Sequence, residues 1–305
     1  MKTPLLILTL LTLLSACSDP QVKPAYNPPL DPFSIESVLT PQFKTPIEIA
    51  TEFREPGHMP QGLAKSPYHP LGEVIPLDVR RKLKEAKLTH RASRSEKALP
   101  ESSDLRKWDS YVRSQWGGTC TAHGLAAGLE SLLARDPSTK MTLSVRHLWS
   151  KYRKYSAFAA IDAASTHKLI EEIHWPQDSA RPSATRPDRF GKVQLASFKY
   201  LEGDVEAATQ ALAQKKPVYI AMSVPSDMAS CRSTIRQSTA LTSGGHALLI
   251  SGFYKNNTVP GGGWFVLKNS WGEDCGDHGY QYMPIAVCAR ADVYCVFWAL
   301  DRVQI

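Results

Sequence analysis

Three residues of this 305-residue chain are of types that could share one reaction: Cys120, His246 and Asn269. Cys120 ends the stretch Gln115-Trp116-Gly117-Gly118-Thr119-Cys120, and the apolar-rich run Leu125 to Leu133 follows closely. That change of composition predicts a helix beginning at the cysteine. A thiol attacks only as thiolate, and the open amides of a helix N-terminus, together with a neighbouring imidazolium, lower its pKa. The expectation is a thiolate almost fully formed at neutral pH. His246 follows Gly244-Gly245 and opens Ala247 to Phe253, an apolar run that reads as a buried strand. Asn269 closes the next run, Trp264 to Lys268, and precedes Ser270-Trp271-Gly272. Its neutral amide is suited to accept the proton on one imidazole nitrogen, turning the other toward sulfur, with Trp271 shielding that hydrogen bond from water. A thiol, an imidazole and an amide in that relation perform nucleophilic acyl transfer.

At these residues the sequence resembles the papain-like cysteine peptidases. His246 lies 126 residues after Cys120 and Asn269 lies 149 after it, against roughly 130 to 150 for that arrangement. Four segments carry the resemblance: Leu99 to Arg106, which looks like the family's mature start; the nucleophile helix; the histidine strand; and Asn269-Ser270-Trp271-Gly272 continuing to Gly279-Tyr280. The resemblance implies an α+β fold in which a helical lobe faces an antiparallel, barrel-like lobe across the active cleft. It also implies a peptide or protein substrate, hydrolysis through a thioester and no cofactor or metal. By the same resemblance Gln115 joins the backbone amide of Cys120 in the oxyanion hole, where loss of one donor costs about 100-fold to 1,000-fold in rate.

The chain departs from the family pattern at several points. Gln115 stands five residues before Cys120, one fewer than the pattern. Gly117 replaces a disulfide cysteine, and Thr121 replaces a tryptophan. The Asn-Gly-Gly loop that pairs with extended substrate is missing, since no glycine occurs from Leu129 to Phe190. Tyr155 to Ala164 occupies that region, so alanines are expected along this wall of the cleft. His123, one helical turn beyond the nucleophile, is read as a packing residue. Two other functions stay open on these departures: an acyltransferase on the same scaffold, and a surface lipoprotein that binds peptides without turnover.

The helices that would position the nucleophile are read at Cys120 to Arg135, Leu143 to Tyr155, Thr166 to His174 and Val205 to Lys215. Strands are read at Val218 to Val224, His246 to Phe253, Trp264 to Leu267, Tyr280 to Met283 and Tyr294 to Leu300. Together they assign residues 99–305 to one peptidase-like domain.

The preceding residues divide into three parts. Residues 1–16 read as a signal peptide, with Lys2 before the apolar run Leu5 to Leu14 and small residues at its exit. Leu14-Ser15-Ala16-Cys17 resembles the bacterial lipobox, which implies acylation of Cys17 and attachment to a membrane; Ser18 then favours the outer membrane. Residues 17–77 read as an extended tether, because Ser18 to Leu77 holds 12 of the 22 prolines. Residues 78–98 read as a basic connector or pro-segment helix. Much of the formal charge of +7 falls there, and without aromatic interleaving or a reading motif it does not point to nucleic acid. Setting Cys17 and Cys120 aside leaves Cys231, Cys275, Cys288 and Cys295, whose three possible pairings suit two disulfides in an oxidising compartment. Their spacing lacks paired Cys-x-x-Cys clusters, so no zinc site is expected.

Overall fold

The computed structural model describes residues 99–153, 155–177 and 190–305. The segments read as signal peptide, lipidated Cys17, tether and basic connector or pro-segment lie outside these. Seven antiparallel strands form one sheet: β1 (Ser102–Asp104), β2 (Gln194–Tyr200), β3 (Val218–Pro225), β4 (Leu241–Lys255), β5 (Gly263–Lys268), β6 (Tyr280–Pro284) and β7 (Cys295–Gln304). Their order is β2-β7-β3-β4-β5-β6, with β1 paired to β4. The helices are α1 (Cys120–Leu133), α2 (Val145–Tyr152), α3 (Ala157–Thr166), α4 (Val205–Ala213) and the single turn α5 (Ser226–Ala229).

Strand alternation divides the core. Tyr219, Ala221 and Ala247 pack in the apolar cluster formed with α1, α2 and α3. Ile220, Met222, Leu248 and Ile250 pack in a second cluster with Leu212 of α4 and Phe265 of β5. Successive strand residues face opposite sides, so β3 and β4 are continuous apolar runs because both their faces are buried. Helix α1 lies close on β4: a Cβ added at Gly124 would stand 2.8 Å from the Leu248 Cα. Only a residue without a side chain admits the backbone that near.

The structure corrects the element assignments in three places. Residues 166–174 do not form a helix. Thr166 ends α3, Leu169 and Glu171 make isolated bridges to Val193 and Leu143, and Glu172–His174 is one 3-10 turn. Backbone groups committed to these bridges cannot at the same time make helical hydrogen bonds. Residues 155–164, expected as a wall of alanines, instead supply most of α3, with the Ser156 side chain accepting from the Ala159 amide at its start. Ala157, Ala160, Ala163 and Ala164 are buried in the core and do not line a cleft. Finally, β4 begins at Leu241, so His246 lies inside the strand and does not open it. Two disulfides form, Cys231 to Cys275 and Cys288 to Cys295, leaving Cys120 as the free cysteine among the described residues.

Candidate active site

Cys120 is the first residue of α1 and is fully buried. The backbone amides of Ala247, Thr121 and Cys120 itself favour its ionised form. Helix α1 packs on β4 beside the imidazole: Gly124 meets Leu248, and Ala247, the residue after His246, shares the apolar cluster of Cys120. Burial pushes the thiol up to about 11, against the downward pull of those three amides. Of the two aids the sequence expected, helix amides and an imidazolium, the amides alone do not bring the thiol into the neutral range. With water excluded, amides at a helix start do not offset the desolvation of a full negative charge. Ionisation therefore needs a cation made on the spot, by transfer of the proton to an imidazole.

The imidazole is oriented from the other side. His246 Nε2 is 2.8 Å from Asn269 Oδ1, and Trp271 stacks on the ring with centroids 4.5 Å apart and planes at 27°. The Ser270 amide also donates to Asn269 Oδ1, at 2.7 Å. Asn269 Nδ2 donates to Gln281 Oε1 at 2.8 Å, and Gln281 Nε2 donates to the Arg232 and Met228 carbonyls at 2.8 and 3.2 Å. His246 and Gln281 are wholly buried and Asn269 nearly so. Sequence reading missed Gln281. Its signal was a lone amide in the strand Tyr280-Gln281-Tyr282-Met283, at a position paired with the core residue Leu267.

Gln115 is buried and fixed at both ends of its amide. Its Oε1 accepts from the Ser270 hydroxyl at 2.7 Å, and its Nε2 donates to the Gly117 carbonyl at 2.9 Å. A primary amide carries a second N–H, which that contact leaves over. The strand-like segment around Gln115 is stitched to the Asn269 loop: Gln115 N donates to the Ser270 carbonyl at 2.6 Å, and Gly272 N to that of Arg113 at 3.0 Å. Arg113 itself lies between Glu130 of α1 and Glu172, at 2.7 and 2.8 Å. The structure thus brings Gln115, Cys120, His246, Asn269 and Trp271 into one neighbourhood.

The departures noted in the sequence have structural counterparts. Gly117 takes a positive φ of 49° in a place where an added Cβ would meet nothing. Thr121 exchanges a hydrogen bond with the Tyr152 hydroxyl at 2.8 Å, and its carbonyl accepts from Tyr219 at 3.0 Å. Tyr155 lies against Gly118, where a Cβ would stand 2.3 Å from the ring. That aromatic ring, about half exposed, now stands beside the nucleophile segment. His123 is buried, with Nδ1 2.9 Å from the Thr119 carbonyl and Nε2 2.8 Å from the Gln177 amide. Burial holds its pKa down to about 4, with those two partners pulling upward.

A buried thiol at the start of a helix packed on an antiparallel sheet, whose strands hold an imidazole against an amide, is the arrangement of the papain-like class of thiol enzymes. The family model described as "Papain family cysteine protease" matches residues 99–293, and the chain belongs to that family. Cathepsin 7 of Rattus norvegicus is 30% identical over 211 residues, covering 61% of each chain. Oryzain gamma chain of Oryza sativa subsp. japonica is 26% identical over 216 residues, covering 63% of this chain and 59% of its own. The chain thus spans about three-fifths of the length of these curated relatives. Among solved structures, xylellain, a cysteine protease from Xylella fastidiosa, superposes with a TM-score of 0.56 at 19% identity, covering 80% of this chain and 96% of its own. The bromelain protease from Ananas comosus, in complex with the E64 inhibitor, superposes with a TM-score of 0.53 at 19% identity, covering 67% and 100%. Both likenesses bear on the fold.

Proposed function

We propose that this chain is a cysteine peptidase that hydrolyses peptide bonds in peptide or protein substrates, exported and held by lipid at Cys17 in the bacterial envelope, at the outer membrane. The observation that carries the catalytic part is the 2.8 Å contact between His246 Nε2 and Asn269 Oδ1, in a papain-family chain whose buried Cys120 opens the helix that packs on the strand carrying that histidine. Asn269 Oδ1 already accepts from the Ser270 amide, and an amide oxygen has no proton to give. Nε2 therefore carries the ring proton, and Nδ1 is the basic nitrogen.

In this reading the substrate carbonyl carbon is attacked by Cys120 Sγ as the thiol proton moves to His246 Nδ1. The developing oxyanion takes hydrogen bonds from the Cys120 amide and the second N–H of Gln115. His246 returns its proton to the leaving amine, giving a thioester. A water then attacks the thioester while His246 takes and returns a proton, releasing the acid and the thiol. Trp271 covers the His246–Asn269 contact on one face of the ring.

Labelling with an epoxide probe for cysteine peptidases, followed by a peptide-library digest, tests this on a soluble chain beginning after Cys17. Labelling at Cys120 with cleaved products, both lost in Cys120→Ala and His246→Ala, is the expected result. An unreactive Cys120 in folded protein would favour the peptide-binding alternative. Products carrying an added amine would favour acyl transfer. Lipid attachment is read from the mature mass of the full chain: acylation at Cys17 adds acyl mass, and its absence would overturn the anchor.

A further inference from the structure

We propose that Gln281 is a positioning residue that sets the tautomer of His246 through Asn269, and that the backbone beside the Cys231–Cys275 disulfide holds it in register. The inference rests on the peptidase reading above and extends it by one residue beyond the trio.

The direction of the chain of amides follows from groups whose roles are fixed. Main-chain carbonyls only accept. Gln281 Nε2 lies between two of them, those of Arg232 and Met228, so this end of the amide must be the NH₂. Gln281 then presents its oxygen to Asn269, and Asn269 must answer with its own NH₂. That leaves Asn269 Oδ1 facing the Ser270 amide and His246 Nε2. An accepting oxygen there selects the Nε2–H tautomer and leaves Nδ1 able to take the thiol proton. Reversing any amide would set oxygen against oxygen in a buried site. Such unmade hydrogen bonds cost more than the bonds themselves contribute.

The starting point of this chain is built from a pinned loop. Cys231 is bonded to Cys275, the Cys231 carbonyl accepts from the Gly276 amide at 3.0 Å, and Arg232 follows directly. Ser233 and Ile235 continue alongside β6 through hydrogen bonds to Tyr282 of 2.7 and 2.9 Å. Gly276, at φ 71°, leaves the room that Gln281 needs: a Cβ there would stand 2.8 Å from the Gln281 Cγ. The loop is therefore spaced so that the Arg232 carbonyl meets the glutamine.

The test combines kinetics with the ¹⁵N chemical shifts of the His246 ring, on Gln281→Leu, Asn269→Ala and the double variant. Expected for Gln281→Leu is a loss in kcat on the order of tenfold to a hundredfold, with KM little changed and a smaller share of the Nε2–H tautomer, since the Ser270 amide then holds Asn269 Oδ1 without the anchor on Nδ2. In the Asn269→Ala background the same substitution should lower kcat no further, because both act through one contact. Additive losses, or a ring still held as Nε2–H in Gln281→Leu, would overturn the proposal. If the native chain cleaves nothing, the peptidase reading fails, and the ring shifts alone decide on Gln281. Should Gln281→Leu not fold, Gln281→Glu serves, since its protonated carboxyl keeps an acceptor for Asn269 and a donor for one carbonyl. Its kcat and its Nε2–H signal should recover as pH falls, and a pH profile matching the native chain would contradict the proposal.

Discussion

The two sides of the site are held by different forces. On the helical side, Cys120 is placed by packing. It begins a helix whose every residue is buried, and a glycine lets that helix close on β4 at backbone distance. On the sheet side, His246 is placed by a run of hydrogen bonds through Asn269 and Gln281 to two carbonyls. Packing is non-directional and fixes distance; hydrogen bonds between amides also fix which atom carries a proton. A thiol needs only the right distance. An imidazole needs the right tautomer as well, and the polar chain stands where that requirement falls.

This contrast is open to attack, first through the histidine inside α1. His123 is held near pKa 4 by burial, against about 6.5 in an unfolded chain. Between those values the unfolded state binds the extra proton, so stability falls as pH drops from 6.5 toward 4 and the loss is complete below 4. The shift corresponds to about 3 kcal/mol. Urea unfolding across this window should show the loss in the native chain and a smaller one in His123→Phe; parallel curves would remove His123 from the account.

Gly124→Ala should come next, costing about 1 to 3 kcal/mol, because its Cβ would meet β4 backbone that cannot swing aside. Since β4 carries His246, kcat should fall with it. Gly128→Ala sharpens the comparison. Its Cβ would stand 2.4 Å from the Leu300 Cδ1, the end of a side chain that can rotate, so the expected cost is smaller, under about 1 kcal/mol, with kcat unchanged. Thermal unfolding and steady-state rates on the pair check both. Equal effects would mean that the approach of α1 to β4 does not position the nucleophile.

Much of this was legible in the sequence, and unevenly so. Helix α1 could be read from the move from small to apolar residues at Cys120, and β3 to β5 from runs long enough to need burial on both faces. Residues 166–174 were misread because Leu169 and Ile170 sit at helical spacing from their neighbours, while the bridge to Val193 that decides their backbone is a contact between distant residues. Strand β2 was missed because only one of its faces is covered, and Phe198 and Tyr200 stay partly exposed at the sheet edge. Cys120, His246 and Asn269 were visible as types at a spacing. Gln281 was not, since its role comes from the carbonyls of Met228 and Arg232, and carbonyls belong to every residue.

In the proposed mechanism Cys120 becomes a thiolate by giving its proton to His246, because burial alone would keep it a thiol up to about pH 11. The rate of alkylation of Cys120 by iodoacetamide, followed from pH 5 to 11 in the native chain and in His246→Ala, measures this directly. Alkylation should be rapid at neutral pH in the native chain, and in His246→Ala its rate should rise only toward the alkaline end. Superimposable profiles would contradict it.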